Sequence, residues 1–136
     1  MSTTTHTASP AEVVASLFAA FGRGDLEAFA AGLHPEATWN HRNPDRLGGV
    51  HRGRDAVVAF LAESGRLTEG TLRAEPTAVL TGEAGRVAVL VTISGTRPDG
   101  RTFEDHQVLA CVVEGGRVRT FDQYIGDPPA VTAFWD

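Results

Sequence analysis

The 136-residue sequence predicts an α+β domain, because helical patterning fills its first part, strand patterning its second, and the strands are joined by short turn signals. Apolar residues recur at helical spacing around Val13, Leu17 and Phe21, around Leu26 and Phe29, and around Val57, Phe60 and Leu61. From Thr71 the texture changes to β-rich runs over 72–81, 86–97, 101–114 and 117–126. These are broken at Gly82-Glu83-Ala84-Gly85, Pro98-Asp99-Gly100 and Gly115-Gly116. Links this short make an antiparallel meander, and helices preceding such a sheet cover one concave face of it.

Each element has its own signal. Ser9-Pro10-Ala11-Glu12 is a capping box with proline at the first helical position, and it opens the first helix. Gly22-Arg23-Gly24 breaks that helix. Asp25 caps a second, which carries Leu26, Phe29, Ala30 and Leu33 and is expected to end at His34-Pro35, since a residue before proline disfavours the helical region. A first strand follows, and alternation puts Trp39 and His41 on one face with Thr38 and Asn40 on the other. Residues 43–53 read as a Gly- and Arg-rich loop, after which Asp55 opens a third helix. Residues 1–9 read as a disordered tail and 10–136 as a single domain.

Composition narrows the function. A formal net charge of −5 without a basic stripe argues against a nucleic-acid partner. All twelve cations are arginine, so Schiff-base chemistry and a Walker-type lysine are excluded. No stretch is long and apolar enough for a membrane span and no secretory leader is recognisable, so a cytoplasmic protein without a membrane partner is expected. The single Cys111 cannot form an internal disulfide and reads as core. His6, His34 and His51 lie in the tail or in loops, no metal-ligand spacing supports a site from His41, His51 and His106, and no cofactor motif occurs, so no metal and no cofactor is expected.

The order of elements, Gly24-Asp25 between the first two helices, the strand Thr38-Trp39-Asn40-His41, the helix start Gly53-Arg54-Asp55 and the ending Gly115-Gly116-Arg117-Val118 through Tyr124 resemble one family. It is the SnoaL-like bacterial branch of the nuclear transport factor 2-like superfamily, and the resemblance covers residues 10–136. It implies a cone-shaped α+β barrel with three N-terminal helices on the concave face of a curved sheet. That fold serves isomerases, cyclases, epoxide hydrolases, dehydratases and non-catalytic binders. In the resemblance, His41 falls where ketosteroid isomerases place a general-base aspartate and where limonene-type epoxide hydrolases place a water-binding asparagine. Gln123 falls where those hydrolases keep a water-activating aspartate. His106 loosely matches a sheet histidine of the aldol cyclases, whose late aspartate matches Gln123 or, after a one-residue slip, Asp122. The chain departs from these sets at Leu17 and near Val108, where the isomerases carry oxyanion donors, and around Leu90 and Thr92, where the hydrolases carry Arg and Asp.

A two-residue Gly115-Gly116 turn pairs Val108 with Gln123 and Ala110 with Phe121. With the face that the resemblance turns into the cone, the inward positions read His106, Val108, Ala110, Phe121, Gln123 and Ile125, leaving Asp105, Gln107, Leu109, Cys111, Asp122 and Tyr124 outside. The candidate catalytic set is therefore His41 and His106 as acid and base, Gln123 as orienting group, and Asp122 in the alternative register. Trp39, Phe121, Val108 and Phe60 are candidate substrate walls. The blander readings are a surface histidine beside Arg42 for His41, a group satisfying buried backbone for His106, and core for Phe60. The expected function is cofactor-free acid/base catalysis, of cyclase, isomerase or dehydratase type, on a hydrophobic ring-containing molecule of bacterial secondary metabolism. The alternative is a binding or accessory domain using the same pocket. The superfamily also implies a homodimer through the open sheet face.

Overall fold

The computed structural model describes residues 8–136, so most of the expected tail lies outside the described residues. Ser9 belongs to the first helix as its cap. Its Oγ accepts the Glu12 backbone N–H at 3.2 Å, Glu12 Oε1 accepts the Ser9 N–H at 3.1 Å, and α1 runs Pro10–Gly22. Asp25 caps α2, Leu26–Ala31, by accepting the Ala28 N–H at 2.9 Å.

Helix α2 stops before the proline signal expected to end it. Leu33 is the first residue of β1, Leu33–His41, so His34-Pro35 lies within a strand. Long-range pairing outweighs the local signal here: the Val118 N–H donates to the Gly32 carbonyl at 2.9 Å, and Leu33 becomes fully buried. Proline, which has no N–H to donate, falls in the stretch where the register along β1 is irregular. The loop expected over 43–53 contains a short edge strand, β2, Gly49–Arg52, and α3 follows at Arg54–Leu67. Four longer strands complete the sheet: β3 Arg73–Thr81, β4 Arg86–Thr96, β5 Thr102–Glu114 and β6 Arg117–Tyr124.

The sheet order is β2-β1-β6-β5-β4-β3, with β1 and β6 parallel and the other neighbours antiparallel. It is curved and unclosed, and α1, α2 and α3 pack on its concave side as expected. A fourth helix, α4, Pro128–Trp135, was not read from the sequence. It is short and begins on a proline pair that also reads as a turn. What makes it helical is tertiary: Phe134 and Trp135 are buried, with the Phe134 ring 4.1 Å from that of Phe103.

One correction matters more than the others. The turn at Gly115-Gly116 is the expected two-residue hairpin, with both glycines at positive φ and Glu114 opposite Arg117. A bulge follows immediately: Val112 pairs with Thr120 but Val113 with Val118, so Arg119 is an extra residue on β6. Beyond it the register is shifted by one, giving Leu109 opposite Gln123 and Val108 opposite Tyr124. A one-residue slip exchanges the faces of β5. Asp105, Gln107, Leu109 and Cys111 therefore face inward and are buried, while His106 is exposed on the convex side with Val108. Burial, then the Asp122 charge, pushes the Cys111 thiol up to about 12, in keeping with a core residue.

If α4 is part of the core, Phe134→Ala, which removes a ring packed on Phe103 and Trp135, should cost about 3–5 kcal/mol in urea unfolding. A cost below about 1 kcal/mol would show that α4 only decorates the fold.

Candidate functional site

Between the helices and the concave face lies a cavity of about 80 Å³. One water needs roughly 10–15 Å³ on that measure, so the cavity suits a compact molecule. Its walls are apolar, with Leu17 and Phe18 from α1, Val91 and Ile93 from β4, and Phe103 from β5. Trp39 lies at 4.4 Å from Phe121 in a stack and 5.3 Å from Phe60, so three rings converge beside the polar end.

That end is built by adjacent strands. Parallel pairing sets His41 beside Gln123 and antiparallel pairing sets Gln123 beside Leu109, which brings Gln107 on the same face within reach. His41 is 2% exposed, its Nδ1 2.8 Å from Gln123 Oε1 and its Nε2 2.9 Å from Asp45 Oδ2. Trp39 Nε1 also donates to Gln123 Oε1, at 2.9 Å. Gln123 Nε2 donates to Gln107 Oε1 at 2.7 Å, and Gln107 Nε2 donates to Asp105 Oδ2 at 3.0 Å. Asp105 closes the chain by accepting the backbone N–H groups of Gly126 and Asp127, each at 3.0 Å.

The direction of every link is fixed by the two ends. An indole N–H only donates, so the Gln123 oxygen must face Trp39; a carboxylate that receives three N–H groups only accepts, so the Gln107 nitrogen must face Asp105. With Gln123 Oε1 as its partner, His41 Nδ1 carries a proton. Nε2 faces the Asp45 carboxylate.

Asp45 is held from the loop that joins β1 to β2. Burial raises its carboxyl, but hydrogen bonds from His41 and Asn43, the His41 charge and the Leu47 N–H together bring it below the ordinary value of 3.8. Asn43 Nδ2 reaches both Asp45 and Thr132 Oγ1 of α4, so the loop is tied to the last helix. Two glycines allow the backbone to come this close. A Cβ at Gly48 would strike the Asn43 carbonyl oxygen, and one at Gly126 would strike the His106 carbonyl oxygen and crowd Asp105.

Of the residues singled out in the sequence, His41, Gln123, Trp39, Phe121 and Phe60 line the cavity. His106, Val108 and Asp122 do not. His106 and Val108 sit on the convex face because of the Arg119 bulge, and His106 Nδ1 lies 3.2 Å from Thr92 Oγ1. Asp122 also faces outward, ion-paired with Arg42 at 3.0 Å, so the register resolves in favour of Gln123. Gln107 and Asp105, expected outside, are inside for the same reason. Asp45 and Asn43 were missed because they lie in the loop, although Asn43-Pro44-Asp45 is a turn signal and Asp45 Oδ1 accepts the Leu47 N–H in the manner of an Asx turn.

Residues 14–121 match the model of the SnoaL-like domain, most of the chain. The chain belongs to the SnoaL-like family, within the nuclear transport factor 2-like superfamily. The chain is 30% identical over 124 residues to an uncharacterized protein of Mycobacterium tuberculosis (strain ATCC 25618 / H37Rv), covering 91% of this chain and 94% of that one. Bal32a, from a soil-derived mobile gene cassette, is 28% identical with a TM-score of 0.90, over 93% of this chain and 96% of Bal32a. TerC, co-crystallized with polyporic acid, is 24% identical with a TM-score of 0.81, over 92% and 96% of the two chains, and shares the fold.

The Asp45 contacts set an acid dependence. A carboxyl held below its ordinary value contributes stability that is present above that value and lost as pH falls through the lower, folded one. At neutral pH, Asp45→Asn should cost about 3 kcal/mol in chemical unfolding, because it breaks a buried pair. The difference between the two proteins should shrink as pH falls below 3.8. A difference that grows on acidification would contradict this role for the carboxylate.

Proposed function

We propose that this SnoaL-like protein binds a compact, hydrophobic, ring-containing molecule in the cavity and acts on it as a cofactor-free acid/base enzyme of isomerase, cyclase or dehydratase type. The observation that carries this reading is the buried His41–Asp45 pair at the polar end of a cavity whose other walls are apolar. Nδ1 faces Gln123, a cavity-lining residue, whereas Asp45 stands on the far side of the ring. His41 acts as acid first, since Nδ1 carries the proton, and as base in the return step. Asp45 steadies the charge from Nε2. Trp39, Phe60 and Phe121 hold the ring of the ligand, and the Gln123 oxygen, still held by the Trp39 indole, gives up only its bond to Nδ1 to the ligand atom that exchanges the proton. Co-crystallization of TerC with polyporic acid supports the use of this fold for an organic molecule.

A second reading is a binding domain without turnover. It is favoured by one fact: both His41 nitrogens are already hydrogen-bonded, so proton transfer requires the ligand to displace Gln123. We also propose a homodimer through the convex face. Ala78, Leu90, Val108 and Tyr124 pair in register across four strands and form an apolar row there, with Leu90 38% and Tyr124 47% exposed. Sedimentation at micromolar concentration should show a dimer, and Leu90→Asp a monomer. A monomeric wild-type protein would remove the assignment.

Proton transfer can be read without knowing the natural substrate, through deuterium uptake at the carbon next to the carbonyl of 1-indanone in D₂O, followed by proton NMR. Wild-type protein should speed uptake, and His41→Gln should slow the catalysed rate by about 100-fold. Equal rates for the two proteins would take the acid/base role from His41. Replacing His41 by Ala should also cost more stability than the roughly 1 kcal/mol expected of a residue at a wettable cavity wall, because it leaves a buried carboxylate unpaired.

A further inference from the structure

The hydrogen-bonded chain across the cavity floor has a polarity that selects the ligand, an inference that rests on the cavity being the ligand site. A primary amide carries two N–H groups. Gln107 uses one on Asp105 and Gln123 uses one on Gln107. Neither amide can turn over, because Trp39 only donates at one end and Asp105 only accepts at the other. The oxygen of Gln123 already receives two donors. Both residues line the cavity, so the donors left for a ligand along the floor are the second N–H of each amide, beside one remaining lone pair on the Gln107 oxygen. Ser64, on α3, spends its hydroxyl hydrogen on the Leu61 carbonyl and adds no donor.

We infer that the cavity recognises its ligand by a carbonyl or enolate oxygen that accepts from the remaining amide hydrogens of Gln107 and Gln123, with the apolar ring against Trp39, Phe60 and Phe121. Two N–H groups in an otherwise apolar enclosure are costly when unpaired, and an acceptor oxygen satisfies them. Gln107 is the new residue in this account: it is a binding residue that sets which functional group enters.

The test compares 1-indanone with indane, the same ring system without the oxygen. Affinities of both are measured by calorimetry for the wild-type protein and Gln107→Met, and the carbonyl stretch of bound 1-indanone is recorded by isotope-edited infrared difference spectroscopy. In the wild-type protein the stretch should lie below its frequency in hexane. In Gln107→Met the ketone-to-hydrocarbon affinity ratio should fall by about tenfold. The infrared measurement needs no variant, so it decides even if Gln107→Met fails to fold. A bound ketone absorbing at its hexane frequency, or an unchanged ratio in a folded variant, overturns the inference, while binding of indane leaves the hydrophobic cavity standing. If neither compound binds at millimolar concentration, the ligand site and the inference fall together.

Discussion

A continuous line of buried hydrogen bonds, from Asp45 through His41, Gln123 and Gln107 to Asp105, crosses the concave face of the sheet, and the placement of the surrounding segments follows from the need to satisfy it. Burying a polar group costs free energy unless it is hydrogen-bonded, and a partly satisfied network is worse than an apolar core. Each end of the line is therefore anchored by backbone. The loop after β1 folds tightly enough for Leu47 to donate to Asp45, and the chain after β6 brings two consecutive N–H groups onto Asp105. Gly48 and Gly126 occupy the two positions where a side chain would obstruct those approaches. The same loop is tied to α4 through Asn43 and Thr132, so the helix that covers one side of the cavity is coupled to the histidine at its floor.

This line also explains why a single catalytic triad is the wrong image for the site. His41 is engaged on both sides, and the amides beside it offer donors in a fixed direction. Such a floor is prepared to receive an oxygen and to stabilise charge developing on it. A preorganised donor set costs no reorganisation when the charge appears.

The sequence made the three N-terminal helices, the antiparallel run from β3 to β6 and the inward face of β1 legible, because each rests on local signals: the Ser9 capping box, the glycine turns, and the alternation through Trp39 and His41. It also made Gln123, Phe121 and Phe60 legible as cavity residues. The face of β5 was not legible. The hairpin turn was read correctly, but one extra residue at Arg119 reverses every side chain beyond it, exchanging His106 for Gln107. No composition rule places a bulge at Arg119. Asp45 was hidden for a different reason. It lies four residues after His41 in a loop, and only the fold of that loop brings the carboxylate to Nε2. Helix α4 and the early end of α2 follow the same pattern, in which burial of Phe134, Trp135 and Leu33 overrides weak or opposing local signals.

The central claim is that the direction of hydrogen bonding along the floor is fixed, with the proton on His41 Nδ1 donated to Gln123. Nitrogen-15 NMR of the histidine side chains reads this directly, since a ring nitrogen that bears a proton is distinguished from one that does not. The account predicts a protonated Nδ1 on His41 whose signal changes when Gln123 is replaced by Leu. A His41 ring with a bare Nδ1 and its only proton on Nε2 would contradict it.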